Sequence, residues 1–345
     1  MDDNIFAILK KELPGVKKNE SLKNHTTFRI GGPAEYFLLA KKEQEILEAI
    51  IVAKKLKIPL FVMGGGSNLL VADKGIKGLV VKNQVTTPIV LRKNMQSIFS
   101  SRVRGSKSRS SSPHLLENNI VEAPAGAVLG SVVDFSISKS LQGLEWAGGL
   151  PGTFGGAIRG NAGAFGGETK DAIFKVKALD NNFNVRNLSN KQSQFSYRSS
   201  IFKKKNWVVL SATVKLKKGN KKDLQAIANS HINYRKEKHP LEYPNAGSIF
   251  KNVDFKKVPK KFQNVFADKV KQDPFPIVPA AWFIIGAGLA GKKIGQAQIS
   301  TKHSNYIVNL GNATAQDVLS LIEFVKKKVK IKYGILLEQE VQYLK

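Results

Sequence analysis

The 345-residue chain has no cysteine. That excludes disulfides, thiolate zinc sites, cysteine-ligated iron–sulfur clusters and thiol nucleophiles together. Histidine is scarce as well. The five histidines, His25, His114, His231, His239 and His303, include no HExxH and no close pair on one helical face, so no metal site is expected. Long apolar runs are missing. The most apolar stretch, IVPAAWFIIGAGLAG (277–291), is glycine-rich and shorter than the ~20 residues a spanning helix needs. The first residues, MDDNIFAILKKELPG, start acidic and lack a continuous apolar core, so they do not read as a signal peptide. A soluble, cytoplasmic protein with no membrane insertion is expected.

Acid is short relative to base, with 26 Asp and Glu against 55 Lys and Arg and a formal net charge of +29. The excess is mostly lysine scattered along the chain, as in KKLK, FKKKN, LKKGNKK and EFVKKKVKIK. No helix-turn-helix, RNP-like aromatic strand or zinc finger organises it. A solvated basic surface, or one that attracts phosphate-bearing small molecules, is the expectation. A basic nucleic-acid-binding protein built around SRVRGSKSRSSSP is the alternative from another class.

What is present is a globular pattern, 42% hydrophobic and long enough for two or three domains. AEYFLLA reads as a strand, and KKEQEILEAIIVAKKLK as an amphipathic helix with Ile46, Ile50, Ala53 and Leu56 at helical spacing. IPLFVM and GLVVK read as short buried strands. Residues 85–118 are basic, serine-rich and aperiodic, and read as a loop or insertion. A helix around 128–140 leads into a glycine-dense tract, followed by strand-like FKVKALD, NVRNLS and WVVLSATVKLK, antiparallel in expectation. DLQAIANSHINYRKEK is a helix and opens a third region, which the basic stretch 253–279 interrupts. The last helix runs from Thr314 to Lys332, with Val318, Leu321, Ile322, Val325 and Val329 on one face and Tyr333-Gly334 as its stop. ILLEQEVQYL reads as a closing strand.

Two glycine tracts carry the first functional signal. GGGSN (64–68) fits neither the GxGxxG fingerprint nor a phosphate loop with its Lys-Ser/Thr. It is either a tight strand-to-strand turn or a nest of backbone N–H groups for an anion, with Ser67 and Asn68 as added donors. GGLPGTFGGAIRGNAGAFGGE (148–168) has more glycine than turn chemistry needs, as though something flat must lie against bare backbone. A dinucleotide spread over both tracts would suit.

NHTTFRIGGPAEYF, VMGGGSNLLVAD, GLPGTFGGAIRGNAGAFGGE, FSYRSSIF, PLEYPNAGSIFKN, KHSNYIVN and the closing LEQEVQYL occur in this order. Together they resemble the UDP-N-acetylenolpyruvoylglucosamine reductases (MurB), over nearly the whole chain from about residue 20. The resemblance implies an α+β fold: a two-subdomain FAD-binding fold of the vanillyl-alcohol-oxidase (PCMH) type plus a C-terminal α/β substrate domain. The expected division is 1–82, 83–220 and 221–345. It also implies non-covalent FAD, NADPH as hydride source, and a UDP-sugar substrate reduced to UDP-N-acetylmuramate for peptidoglycan. The short spacing from Arg198 to Ser248 resembles the subtype without the extra tyrosine-bearing loop. Another flavoenzyme of the same fold is the nearest alternative.

In the reaction the resemblance implies, hydride from flavin reaches the methylene carbon of an enolpyruvyl ether, and negative charge builds on the neighbouring carbon. The family's proton donor falls on Ser248. A neutral hydroxyl suffices for so basic an intermediate, and no activating histidine is needed. The family's catalytic arginine falls on Arg198, whose planar fork suits a carboxylate. Its C-terminal glutamate falls on Glu340, useful either protonated or as an orienting group. Glu338, two residues away, would share a strand face with it, and Glu340 is preferred because the following valine matches the motif. The resemblance places cofactor contacts on Arg29, Gly64, Gly65, Gly66, Ser67, Asn68, Pro151, Gly152, Thr153, Gly156, Asn161 and Gly163. It places substrate contacts on Tyr197, Arg235, Asn245 and Lys251. His303 and Asn305 read equally as packing residues. The stretches 85–118 and 253–279 are longer than in the family and are expected as surface excursions, and Ile285 stands where relatives usually carry glutamate.

Overall fold

The computed structural model describes residues 2–92 and 119–345. Its contacts divide the chain into two compact units, Met1–Gln84 with Ile232–Lys345, and Val85–His231.

The first unit starts with a helix that the sequence reading did not assign, α1 (Asp2–Glu12), which buries Leu9. Then come β1 (Lys17–Ser21), β2 (Pro33–Ala40), α2 (Glu43–Lys55), β3 (Leu60–Met63), β4 (Leu69–Val71) and β5 (Ile76–Asn83). The sheet order is β1-β2-β5-β3, with β5 parallel to both β2 and β3 and β1 antiparallel to β2. Helix α2 buries Ile46, Ala49, Ile50, Val52 and Ala53, which includes three of the four residues picked by spacing, while the fourth, Leu56, caps the helix and is half-buried. Glu45 accepts hydrogen bonds from the Lys41 and Lys42 N–H groups, and Lys54 and Lys55 end the helix. Both charges suit the helix dipole.

The second unit is built on β6 (Val90–Arg92), β7 (Ile120–Pro124), α3 (Leu129–Ser138), α4 (Phe154–Gly160), β8 (Ile173–Leu179), β9 (Val185–Ser189) and β10 (Val208–Lys215). Among the described residues its main sheet runs β9-β8-β10-β7-β6, antiparallel throughout as expected. Residues 85–89 have no regular structure, as expected, but strand β6 corrects the reading of 85–118 as loop from residue 90. Val90–Arg92 pair with β7, and Arg92 Nε lies 2.9 Å from the Glu122 carboxylate. The remainder of that stretch, 93–118, lies outside the described residues.

Helix α4 is a second correction, because the glycine tract was not expected to be helical. Glycine costs about 1 kcal/mol per helical position, and burial of Phe154, Ala157 and Ile158 offsets it. Thr153 caps the helix, its hydroxyl accepting from Gly156 N–H at 3.3 Å. Gly155 lets it lie on the sheet, since a Cβ there would stand 2.6 Å from the Ala125 Cβ.

Helix α5 (Lys221–Lys238) spans the boundary between the units. Beyond it the first unit resumes with β11 (Asn245–Ser248), α6 (Lys260–Phe266), α7 (Ala280–Gly286), β12 (Lys293–Ile294), β13 (Ala297–Ile299), β14 (Tyr306–Asn309), α8 (Ala315–Tyr333) and β15 (Gln342–Leu344). The sheet order is β11-β14-β13-β12. Helix α8 buries the five residues that its periodicity selects. It begins in a capping box of Thr314 with Asp317 and ends at Gly334, whose φ is +72°. Residues 253–279 are not a surface excursion. Val253, Val258, Phe266, Ile277 and Val278 are buried in the same core as Phe283 and Tyr333. The stretch is lysine-rich outside and apolar inside, and only folding separates the two. Among the described residues, no helix is long and apolar enough to cross a membrane.

The closing strand is shorter than expected. Only Gln342–Leu344 form a regular strand, parallel to β4. Upstream, the Glu340 and Val341 N–H groups both reach the Ile249 carbonyl, at 2.7 and 3.4 Å. Two donors on one acceptor mark an extra residue in the pairing. The strand breaks there because the chain changes partner, from residues 249–251 to β4.

Candidate active site

In the first unit, Ser248 ends β11 and is half-buried. Its partner across the antiparallel ladder is Tyr306 on β14, and Ser248 is one of the groups that act on the Tyr306 phenol. The segment after Ser248 is pinned tightly. Asn305, 3% exposed, accepts from Phe250 N–H at 3.0 Å through its side-chain oxygen and donates to the Phe250 carbonyl at 2.8 Å. The Ile249 N–H donates to the Asn305 carbonyl at 2.8 Å. Asn305 is therefore a backbone clamp on the serine's strand.

Glu340 joins this group by donating its N–H to the Ile249 carbonyl, and it is half-buried. The bulge separates it from Glu338, whose side chain is 70% exposed and paired with Lys251. The two glutamates do not share an environment, contrary to the expectation from a regular strand. Arg235 is 7% exposed, its pKa lowered by burial, and its charge acts on Tyr306. The Tyr306 phenol is pushed up to about 12, chiefly by burial. Its Oη lies 3.0 Å from His239 Nδ1. Burial, with the charges of His303, Arg235 and Lys302, brings His239 down to about 4, so it is neutral near pH 7. His303 is lowered too, first by burial.

Asn245 is occupied locally. Its side-chain amide donates to the Pro240 and Tyr243 carbonyls, and its oxygen accepts from Gly247 N–H. Ile285 stands on α7 with 45% exposure.

Arg198 lies in the second unit. It adopts φ +53°, its guanidinium sits 4.9 Å from the centre of the Tyr197 ring, and it donates to the Gly163 carbonyl at 2.9 Å. Gly163 has little room for a side chain, with Arg198 Nη1 3.2 Å from where a Cβ would stand. Asn161 is fully buried in the left-handed region at φ +44°. It donates to the Ser196 carbonyl and accepts from Lys170 N–H. The fold thus brings Asn161, Gly163, Tyr197 and Arg198 into one neighbourhood.

The glycine tracts need a revised physical reason. In the second tract, a Cβ on Gly148 would stand 2.5 Å from the Ala228 carbonyl oxygen, and one on Gly167 2.3 Å from Trp146. Gly149, Gly152 and Gly166 hold positive φ. Much of the density is therefore demanded by the fold itself. In the first tract, Gly66 has φ +67° and packs against His25 and Thr26. Gly64, Gly65, Ser67 and Asn68 remain half-buried in an unwound turn. Asn68 donates to the Glu340 carbonyl at 3.4 Å. Arg29, exposed at φ +52°, lines an open pocket with Lys23, Asp73 and Asn312. In the first unit, a bare-backbone turn with hydroxyl and amide side chains suits an anionic group.

Residues 34–189 match the FAD binding domain, and residues 239–344 match the UDP-N-acetylenolpyruvoylglucosamine reductase, C-terminal domain. The chain is 40% identical to the UDP-N-acetylenolpyruvoylglucosamine reductase of Caldanaerobacter subterraneus subsp. tengcongensis, covering 94% of this chain and 92% of that one. The chain belongs to this family. The reductase of Clostridium novyi is 36% identical, covering 99% of this chain and 95% of the relative. The crystal structure of UDP-N-acetylenolpyruvylglucosamine reductase (MurB) from Thermus caldophilus aligns with a TM-score of 0.67 at 26% identity, covering 96% and 98% of the two chains.

The fold is accordingly α+β, a PCMH-type FAD-binding domain followed by the C-terminal domain of this reductase family. The activity is that of a UDP-N-acetylmuramate dehydrogenase, a FAD-dependent oxidoreductase of peptidoglycan synthesis that acts on a UDP-sugar. Sequence reasoning did not place Tyr306 opposite Ser248 or His239 against Tyr306. Tyr306 lay in plain view inside KHSNYIVN, but nothing local tied it to Ser248.

Proposed function

We propose that Ser248, Arg198 and Glu340 are the catalytic residues, with NADPH as hydride source and the cytoplasm as the place of reaction. Residues 1–82 and 83–220 would hold the flavin and 221–345 the substrate, and the spacing of Arg198 and Ser248 favours the subtype without the tyrosine loop. FAD, when bound, supplies the hydride chemistry linking the nicotinamide to the methylene carbon of the enolpyruvyl ether. Gly64 to Asn68, Pro151 to Thr153, Gly156, Asn161 and Gly163 would hold it, with Arg29 as a charged flank.

The observation that carries the reading is the hydroxyl of Ser248, fixed on a clamped strand beside Tyr306, Arg235 and Glu340. Adding hydride at the methylene carbon leaves an enolate. Ser248 protonates the carbon next to the carboxylate. The Arg198 guanidinium neutralises charge on that carboxylate. Glu340 acts protonated or as an orienting acceptor, and Tyr197, Arg235, Asn245 and Lys251 would engage the nucleotide sugar.

The test uses absorbance of the yellow holoenzyme. NADPH should bleach the flavin, and the enolpyruvyl UDP-sugar should restore it. Ser248→Ala should keep the bleaching and slow the recovery by about 100-fold or more. Unchanged recovery in that variant rules out the serine as the acid.

A further inference from the structure

We propose that Tyr306 is a positioning residue for proton delivery, orienting the Ser248 hydroxyl and replacing the proton that the serine gives up, with His239 supporting the phenol from its other side. The proposal rests on Ser248 being the acid.

A serine that protonates carbon is left as an alkoxide unless its proton is replaced in the same event. A phenol is a much stronger acid than an aliphatic alcohol and can replace it. Ser248 and Tyr306 face each other in the β11–β14 ladder, so their side chains rise from the same face of the sheet. Tyr306 is 8% exposed, the Ser248 side chain is among the groups that act on its phenol, and its Oη lies 3.0 Å from His239 Nδ1. His239 is in turn edge-on to His303, whose Nδ1 accepts from Asn305 N–H at 3.3 Å. The same asparagine clamps Phe250, so the relay and the serine's strand share one support.

The charges agree with this arrangement. The groups acting on Tyr306 are Arg235, which favours a phenolate, and Glu340, which opposes it. Those acting on His239 are His303, Arg235 and Lys302, all of which keep it neutral. Lys302 is held away by the Lys236 carbonyl and Glu242.

A neutral His239 carrying its proton on Nδ1 donates to Oη. The phenol then donates to Ser248 Oγ, and the serine to the substrate carbon. In the step, the Oγ–H bond breaks as the new C–H bond forms. The Oη–H bond breaks as Oγ–H re-forms. The negative charge ends on the Tyr306 phenolate, next to Arg235 and hydrogen-bonded by His239, and a proton from water restores the phenol before the next turnover.

The experiment measures both half-reactions of the holoenzyme in mixtures of light and heavy water. Tyr306→Phe should bleach with NADPH within about twofold of the native rate. It should recover with substrate about 10- to 100-fold more slowly, and its rate should fall linearly with deuterium fraction where the native curve bows. His239→Gln should flatten the bow with a smaller loss of rate. In flavin-free protein, the NMR titration of His239 should move in Tyr306→Phe.

Recovery within twofold of native with an unchanged bow overturns the relay. If Tyr306→Phe fails to retain flavin, the bow in His239→Gln decides. Native recovery in Ser248→Ala would instead overturn the serine assignment, whereas a dead Ser248→Ala beside an unaffected Tyr306→Phe sinks the relay alone.

Discussion

The carbonyl of Ile249 accepts hydrogen bonds from the backbones of both Glu340 and Val341. This double contact turns Glu340 into a half-buried position beside the Ser248 strand and leaves Glu338 in solvent with Lys251. The difference is measurable. Glu340→Gln should retain flavin and lower kcat by about 100-fold, while Glu338→Gln should leave kcat within about twofold, since exposed pairs contribute little. Steady-state kinetics of the two variants checks this. Equal losses in both would show that the bulge does not divide their roles.

Gly66 should tolerate no side chain. Its φ of +67° is unfavourable for L residues, and a Cβ would stand 2.3 Å from the His25 carbonyl oxygen. Backbone cannot yield as a flexible side chain does. Gly66→Ala is expected to cost more than about 2 kcal/mol, read as a lowered urea midpoint with unchanged slope.

The first turn of α8 is capped from a distant part of the chain. The Asp73 carboxylate accepts from Ala315 N–H at 2.7 Å and Gln316 N–H at 3.1 Å. A negative charge on two N-terminal donors favours the helix both as a cap and through the dipole. Asp73→Ala should cost about 1 kcal/mol, and Asp73→Asn less. Denaturant titration of the flavin-free protein separates the two.

Acidification should weaken the fold through His239. Its ordinary value of 6.5 falls to about 4 in the folded chain, so the unfolded chain takes up the proton first as pH drops. The stability it contributes is full above pH 6.5 and is lost as pH falls towards about 4. His303 is shifted in the same direction by burial. Urea midpoints measured across that window should fall with pH, and His239→Gln should make the dependence shallower. A slope unaltered by that substitution would place the acid sensitivity elsewhere.

The sequence by itself determined the elements whose signal is local. The stripe of α2 and the face and stop of α8 follow from periodicity and capping, which need only neighbouring residues. So do β2, β3, β5, β8, β9 and β10, whereas β1, β6 and β7 carried no such signal. Ser248, Arg198 and Glu340 could be put forward as candidates because each sits in a recognisable block. Tertiary structure decided what depends on residues far apart in the chain. It made a helix from the glycines of 154–160, because Ala125 leaves room only for Gly155 and burial offsets the propensity cost. It buried Val253, Val258, Phe266, Ile277 and Val278 of the lysine-rich 253–279 in one core with Phe283 and Tyr333. It also set Tyr306 opposite Ser248 and His239 against Tyr306. Strand pairing and burial create those contacts between residues that no local pattern connects.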